Sequence, residues 1–136
     1  MRRAVVLSLA VLLVLTACGG DEEQGLEATR WVLETIDSGD SSTPVLAGTE
    51  PYLEFAGETV SGSDGCNQFS GGVTVGPDDA IAFGQMAGTL MACEQAIMDQ
   101  ATAINVALAE VTTYQVDGDQ LILSSDGGSQ LVYAAG

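Results

Sequence analysis

The stretch VTTYQVDGDQLILSSDGGSQLVY, residues 111–133, decides the fold class. Large apolar side chains recur at every second position in three short runs, at Tyr114 and Val116, at Leu121 and Leu123, and at Leu131 and Tyr133. The runs are separated by Asp117-Gly118-Asp119 and Asp126-Gly127-Gly128, which are turn sequences of the kind found in tight hairpins. The stretch therefore predicts three antiparallel strands joined by two short turns.

The same period of two continues upstream of this stretch. It appears in five further segments, at residues 31–35, 53–55, 59–62, 68–75 and 81–86. The pair Gly71-Gly72 interrupts the fourth of these segments and indicates a β-bulge or a close approach of two backbones. Residues 38–44 are rich in serine, glycine and proline and are predicted to form a turn. Short connections favour antiparallel pairing throughout.

The hydrophobic period changes after Cys93, which predicts one helix. Apolar residues follow one another at helical spacing, at Ile97, Ala101, Ile104 and Leu108. The helix should span about 15 residues and bury this stripe. The expected fold is α+β and mainly antiparallel β, a curved sheet or partial barrel of seven to eight strands with one packed helix that covers an open side. We expect a single domain without internal repeats.

The N-terminus has the pattern of a bacterial lipoprotein signal. Arg2 and Arg3 precede an apolar run at residues 4–15, and Leu15-Thr16-Ala17-Cys18 then resembles a lipobox. The run holds about a dozen residues, whereas a membrane-spanning helix needs roughly 20. We expect residues 1–17 to be a lipoprotein signal peptide, residues 18–28 an acidic flexible tether, and residues 29–136 the domain. A secretory signal that is cleaved elsewhere is the alternative.

Lipidation of Cys18 would place the protein on the cell membrane, facing the periplasm or the outside of the cell. The lipid anchor would then be its first partner, and residues 19–27 would hold the domain just above the lipid surface. The acidic chain is repelled by anionic headgroups, so the fatty chains and not surface charge must hold it there.

The charge of the chain is strongly negative. It has 19 acidic residues, three basic residues and no histidine. All the acidic residues follow Cys18, and of the basic residues only Arg30 does, so cleavage would leave one basic residue against 19 acidic ones, a formal charge of −18. Nucleic acid is bound through Lys and Arg, so we expect no nucleic-acid partner. The acidic surface is suited either to binding a cation or a basic partner, or simply to keeping the protein soluble by self-repulsion. We favour the second explanation, and we expect a monomer.

The chain lacks the side chains that usually carry catalysis. It contains neither histidine nor lysine, which removes the usual general bases, Schiff-base formers and imidazole ligands. We therefore predict that the protein is not an enzyme and has no catalytic residues and no cofactor. A hydrolase that uses two carboxylates is the remaining alternative, because acidic residues are abundant, although no spacing points to such a pair.

Three cysteines leave an even pair once Cys18 is lipidated. Cys66 and Cys93 are expected to form a disulfide, which would close a loop of about 28 residues and stabilise the fold by roughly 3–4 kcal/mol. Two free thiols are the alternative. A soft metal site would need more Cys or His ligands, and a nucleophilic cysteine would need a basic neighbour.

Two aspartate-rich segments raise the question of calcium, which binds carboxylate oxygens. They are Asp78-Asp79 and Asp117-Gly118-Asp119. Neither fits a complete EF-hand loop, and both are better explained as turns. No metal site is therefore predicted, and a calcium-dependent binding protein is kept as a minor alternative.

Two motifs in the domain resemble a known family. GCNQFSG at residues 65–71 matches a Gly-Cys-Asn-x-aromatic-x-Gly pattern, and TLMAC at residues 89–93 runs into the predicted helix. Together with Trp31-Val32-Leu33 and the hairpin at residues 118–123, they are similar to the META domain family, over about residues 29–133. One departure is Val73, where the family often has an aromatic residue.

The resemblance implies a mostly β fold with a packed helix. It also implies a bacterial lipoprotein of the cell envelope that is linked to stress or antibiotic tolerance. It supplies no defined reaction, so no catalytic residue is carried over.

The motif positions that we single out, besides the cysteines, are Gly65, Asn67, Phe69, Gly71, Thr89 and Met91. The glycines are expected to allow positive φ or close packing, and the asparagine to bond the backbone of its own loop. The phenylalanine and methionine should pack, and the threonine should cap or position the turn before the helix. The motifs then form either a structural clasp, which we favour, or a shared ligand surface.

The favoured function is a non-enzymatic envelope protein that binds a partner protein or a small ligand, or serves in stress tolerance. The alternative is a small-molecule-binding module that uses the mouth of the partial barrel.

Overall fold

The computed structural model describes residues 25–136. Its elements in chain order are β1 (Arg30–Ser38), β2 (Ser41–Pro44), β3 (Tyr52–Ala56), β4 (Thr59–Ser63), β5 (Gln68–Val75), β6 (Ile81–Gly88), α1 (Gln95–Glu110), β7 (Val111–Asp117), β8 (Gln120–Ser125) and β9 (Ser129–Ala135). The predicted signal peptide and the lipidation site Cys18 lie outside the described residues. Within residues 25–136, no helix has the length and hydropathy needed to cross a membrane.

All the strands belong to one antiparallel sheet. Eight strands follow the order β6-β5-β4-β3-β1-β9-β8-β7, and β2 pairs with the far end of β1. The two edges of the sheet approach each other at one end, where Ala80 bridges to Thr113 and the Tyr114 nitrogen donates to the Asp79 oxygen at 2.9 Å. Residues 25–136 thus form a curled half-barrel with one helix, and the predicted fold class is confirmed.

The strand β2 lies within the segment predicted to be a turn. Its four residues are exposed and polar or proline, so they show no apolar alternation. They pair with the last four residues of β1, which extend beyond the region that pairs with β3. A strand without a buried face gives no hydrophobic period, which is why the sequence pattern missed it.

The inward-facing side chains of the strands and the helix form one core. Its members are Trp31, Leu33, Leu53, Phe55, Val60, Phe69, Val73, Ile81, Ile104, Leu108, Val111, Leu121, Leu123, Leu131 and Tyr133. Nearly all the strand members were predicted from the period of two. Helix α1 buries Ala101, Ile104 and Leu108 as expected, but Ile97 is only half-buried.

Contacts with the core begin before the predicted domain start at residue 29. Leu26 packs against the core, and its carbonyl oxygen accepts a hydrogen bond from Trp31 Nε1 at 3.1 Å. Glu27 Oε1 accepts one from the Gly57 nitrogen at 2.7 Å. The last residues of the predicted tether therefore lie against the domain.

Candidate functional site

The two sequence motifs meet in space at a disulfide. Cys66 precedes β5, Cys93 precedes α1, and their sulfurs are bonded with the Cα atoms 6.1 Å apart. Of the alternatives left open by the sequence, the structure has the disulfide and not the free thiols. The bond joins the sheet to the start of the helix.

Asn67 ties the first motif to the second beside this disulfide. Its Oδ1 accepts hydrogen bonds from the Met91 nitrogen at 2.6 Å and from Thr89 Oγ1 at 3.0 Å. The Thr89 hydroxyl in turn accepts from the Gln68 nitrogen at 3.2 Å, and the Thr89 nitrogen donates to the Gln68 oxygen at 3.0 Å. Asn67 thus bonds the opposite loop instead of its own. Thr89 does not cap the helix but positions the segment that leads to it, which is the other role expected of it.

Asp64 makes the hydrogen bonds to the loop backbone that were expected of Asn67. It is 3% exposed, and its Oδ1 accepts from the Cys66 nitrogen at 2.9 Å and the Asn67 nitrogen at 2.7 Å. Its Oδ2 accepts from Asn105 Nδ2 of α1 at 2.9 Å. This buried acid was not predicted from the sequence. An aspartate before glycine is a signal for an Asx turn, but nothing local shows that the turn is buried under a helix.

The two motif glycines serve the two purposes that were predicted for them. Gly65 has a φ of +92°, in the left-handed region that favours glycine. A Cβ at Gly71 would lie 2.6 Å from both the Gln85 oxygen and Met86 Sδ, so β5 and β6 approach closely here. The register also shifts between Gly71 and Val73, which confirms the predicted bulge.

The apolar motif residues divide between the core and the surface. Phe69 is 7% exposed and belongs to the core as expected, and so does Val73, the position where the sequence departs from the family pattern. Met91 is instead 60% exposed, and its neighbour Leu90 is 99% exposed. Met91 therefore contributes its backbone nitrogen, and not a packed side chain. We call the disulfide together with the hydrogen bonds that join Asn67 to Thr89 and Met91 the clasp.

A cleft of about 660 Å³ opens next to the clasp. It lies between the edge strand β6, the loops that precede β5 and α1, and the C-terminal half of α1. One end is polar and is lined by Asp64, Asn67, Thr89 and Asn105. The rest is mostly apolar, with Phe69, Phe83, Met86, Leu90, Leu108 and Ala109 among its lining residues.

The aspartates considered for calcium lie in turns. Asp78 and Asp79 form the β5–β6 turn with φ of +57° and +59°, and Asp117 and Asp119 flank the glycine of the β7–β8 turn. Among residues 25–136, no three His, Cys, Asp or Glu side chains form a group that could hold a metal ion.

Arg30, the basic residue of the described chain, is engaged on the outer face of the sheet. Its Nε donates to Glu54 Oε1 at 2.7 Å, and its guanidinium lies 4.0 Å from the centre of the Tyr52 ring. The hydrogen bond to Glu54 raises the pKa of Arg30 above its ordinary value. The negative charge of the rest of the domain is therefore left without an internal counterion.

Comparison with known proteins agrees with this fold. The chain is similar to a protein from Burkholderia xenovorans solved by NMR, with 27% identity, 84% of this chain and 86% of that one covered, and a TM-score of 0.70. A second NMR structure gives 26% identity, 82% and 92% coverage, and a TM-score of 0.63.

A crystal structure of a DUF4847 family protein from Bacteroides vulgatus, at 14% identity, covers 82% of this chain and 95% of its own, with a TM-score of 0.59, and shows the fold alone. No curated protein matches the chain. The model of the META domain matches residues 24–135, which include both motifs, the clasp and the cleft. The chain belongs to the META domain family.

Proposed function

We propose that this META-domain protein is a lipid-anchored protein of the bacterial cell envelope, which acts by binding and not by catalysis. It is tethered outside the cytoplasm through Cys18 and serves envelope stress tolerance by binding a partner protein or a small ligand. The observation that carries the proposal is the lipobox Leu15-Thr16-Ala17-Cys18, which stands ahead of a domain whose other two cysteines are bonded to each other.

The disulfide supports the compartment. Disulfides persist in oxidising environments and are rare where glutathione and thioredoxin keep thiols reduced. The bond between Cys66 and Cys93 links two loops of the family motif, so it is part of the fold.

The hydrogen bonding of the clasp supports a role in binding. Both oxygens of Asp64 and the Oδ1 of Asn67 are occupied by donors of the chain itself, and the Thr89 hydroxyl both donates and accepts. Asp64 is also only 3% exposed, so its carboxylate is not open to a substrate as that of a general base or a nucleophile would be. These groups hold loops in place, and the whole sequence has no His or Lys to replace them.

Fractionation of cells tests the anchor. The Cys18→Ser variant should leave the membrane fraction as folded protein, because the lipid can no longer be attached. The double variant Cys66→Ser/Cys93→Ser is the control, since it retains the lipobox and should stay with the membrane. Cys18→Ser protein that remains in the membrane fraction would contradict the proposal.

Intact-mass measurement before and after reduction tests whether the protein resides in an oxidising compartment. Protein isolated from membranes with its thiols blocked at lysis should gain the mass of two hydrogens on reduction. An unchanged mass would mean that the cysteines are reduced in the cell. Turnover of ester, peptide or glycoside substrates by the purified protein would separately contradict the proposal that the protein acts by binding and not by catalysis.

The cleft supports a second candidate, a module that binds small molecules. A pocket of about 660 Å³ lies within the usual range of roughly 300–1,000 Å³ for ligand sites and combines apolar walls with a polar end. A neutral apolar dye such as Nile red should bind the wild type and lose binding in Ala109→Trp, which fills the cleft. Thr102→Trp, on an exposed position of the same helix, is the control. Equal dye binding by both variants would exclude the cleft.

A further inference from the structure

A free strand edge borders the cleft beside the clasp. Among residues 25–136, β6 pairs only with β5 and is the last strand on its side of the sheet. The strand at the other end of the sheet, β7, approaches β6 near its start, where Ala80 bridges to Thr113. Beyond that bridge, residues 83–88 of β6 lie along the cleft. This stretch, which we call the β6 edge, lines the cleft with Phe83, Gly84, Gln85, Met86 and Gly88.

The hydrogen bonds at the two ends of the β5–β6 pair show which backbone groups of the β6 edge point outward. The Thr89 nitrogen donates to the Gln68 oxygen at 3.0 Å, and the Gly76 nitrogen donates to the Ala80 oxygen at 2.9 Å. In an antiparallel pair, residues that bond the partner strand alternate with residues whose N–H and C=O point away from it. Counting inward from each end, the outward groups of the β6 edge belong to Phe83, Met86 and Gly88.

The neighbouring strand agrees with this alternation. Val73 lies opposite Phe83, and its nitrogen donates away from β6, to the Glu58 oxygen at 2.9 Å. In the described part of the chain, the backbone of residues 83–88 bonds to no segment other than β5. The β6 edge also contains no charged residue and no proline, which in other proteins protect an edge against an added strand. The edge is therefore open to strand pairing.

Helix α1 makes this edge one wall of a groove. The C-terminal half of the helix lines the cleft with Asn105, Leu108 and Ala109, and the half-buried side chains of Phe83 and Met86 add apolar surface on the strand side. Domains that bind peptides by strand addition use main-chain hydrogen bonds for affinity and pockets for alternate side chains for specificity. The β6 edge and the cleft supply both, over six residues, which is the length of an ordinary strand.

The charge around the cleft favours a basic partner. Asp78 and Asp79 lie in the turn before β6, and Glu110 is the last residue of α1. Arg30 is bonded to Glu54 on the outer face of the sheet and does not compensate these charges. Such a surface attracts Lys and Arg on a partner. It also repels a second copy of this acidic chain, which disfavours pairing of two β6 edges with each other.

We propose that the β6 edge binds an extended segment of a partner protein as an additional antiparallel strand. The segment carries apolar side chains at alternate positions and Lys or Arg at its ends. Residues that pair with Phe83, Met86 and Gly88 direct their N–H groups at β6 and their side chains to the same face as these residues, into the cleft. The apolar residues of the segment are therefore those whose N–H groups bond β6. This proposal rests on the partner binding proposed above and names its site and chemistry.

A short synthetic peptide tests the proposal, with the sequence Lys-Val-Thr-Val-Thr-Val-Lys, a fluorescent label at its N-terminus and an amidated C-terminus. Fluorescence anisotropy measures its binding to the lipidated full chain in phosphatidylcholine nanodiscs, with empty nanodiscs subtracted. We expect saturable binding of one peptide per chain. N-methylation of two valines should weaken binding about tenfold or more, because two main-chain hydrogen bonds are lost. N-methylation of the two threonines is the matched control and should weaken it less than about threefold, since their N–H groups face away from β6.

Two measurements on the protein locate the peptide. Hydrogen exchange followed by mass spectrometry should slow in residues 83–88 when the peptide is bound and stay unchanged in β7, the other edge of the sheet. Ala109→Trp fills the cleft and should abolish binding, whereas Thr102→Trp, at an exposed position of the same helix, should bind like the wild type.

Four results would each overturn strand addition. They are no saturable binding of the peptide, a loss from the methylated threonines that equals or exceeds the loss from the methylated valines, unchanged exchange in residues 83–88, and unchanged binding in Ala109→Trp. Nile red binding without peptide binding would assign the cleft to a small molecule instead. None of these results bears on the lipid anchor, because fractionation of Cys18→Ser tests it independently.

Discussion

Asp64 Oδ2 accepts a hydrogen bond from Asn105 Nδ2 at 2.9 Å, across 41 residues of sequence. The other oxygen of the same carboxylate accepts from two backbone nitrogens of the Cys66 loop. One buried aspartate therefore fixes both the conformation of the motif loop and its position against helix α1. The disulfide makes the same connection covalently a few residues away.

Removal of the Asp64 carboxylate should be costly. Asp64→Ala leaves three donors without an acceptor, and we expect the free energy of unfolding to fall by about 2–4 kcal/mol. Asn105→Ala should cost about 1 kcal/mol, and a double-mutant cycle should give a coupling energy of about 0.5–3 kcal/mol. The control is the exposed pair Gln95 and Asp99, whose coupling should be no more than about 0.5 kcal/mol. Urea unfolding with the disulfide intact measures all the variants, and equal coupling in both pairs would contradict this role.

Asn67 should act through its side-chain oxygen. Asn67→Leu removes the acceptor of the Met91 amide and should lower the stability by about 1–2 kcal/mol. Asn67→Asp keeps an acceptor in the same place and should lose less. Hydrogen exchange measured by NMR should show faster exchange of the Met91 amide in Asn67→Leu than in Asn67→Asp. Unchanged protection in both variants would mean that the bond does not hold the loop.

The neighbouring glycines Gly71 and Gly72 should respond differently to a methyl group. In Gly71→Ala the new Cβ meets the Gln85 backbone at 2.6 Å, so we expect a loss of about 1–3 kcal/mol. In Gly72→Ala the nearest atom is 4.0 Å away, and the variant should be near neutral. Thermal unfolding of the two variants measures the difference. Equal losses would argue against the close approach of β5 and β6.

Tyr133 should make the fold sensitive to alkali. The side chain is 1% exposed, and burial raises the pKa of its hydroxyl above the ordinary value. In the unfolded chain the group ionises near pH 10, whereas in the fold it keeps its proton. Its contribution to stability is thus complete below pH 10 and falls by about 1.4 kcal/mol per pH unit above it.

Replacement of Tyr133 by Phe should remove this part of the pH dependence. The stability difference between wild type and Tyr133→Phe, measured in urea from pH 7 to pH 11, should be constant up to pH 9 and shift in favour of the variant above pH 10. The value at pH 7 serves as the internal control for lost packing. A difference that stays constant over the whole range would show that the hydroxyl ionises in the folded state.

Many strand elements of the fold followed from local sequence alone. Leu53 and Phe55, like Leu121 and Leu123, show an alternation that their strands keep, because these strands bury their inner face in the core. The strand β2 gave no such signal because it buries neither face. Gln100 was missed for a related reason, since a buried polar residue interrupts the helical stripe and is explained only by its partners Leu46 and Thr49.

The sequence by itself determined most of the antiparallel strands, helix α1 and the family, because these depend on periodicity, turn residues and short motifs. It predicted the pairing of Cys66 with Cys93 from the number of cysteines but left free thiols as the alternative, and the structure has the disulfide. The tertiary structure alone decided which polar groups meet. Asp64 reaches Asn105, and Asn67 reaches Met91, only after the helix has packed over the open side of the sheet. Hydrogen bonds between distant segments depend on where the chain returns in space, and no local pattern of residues encodes that return.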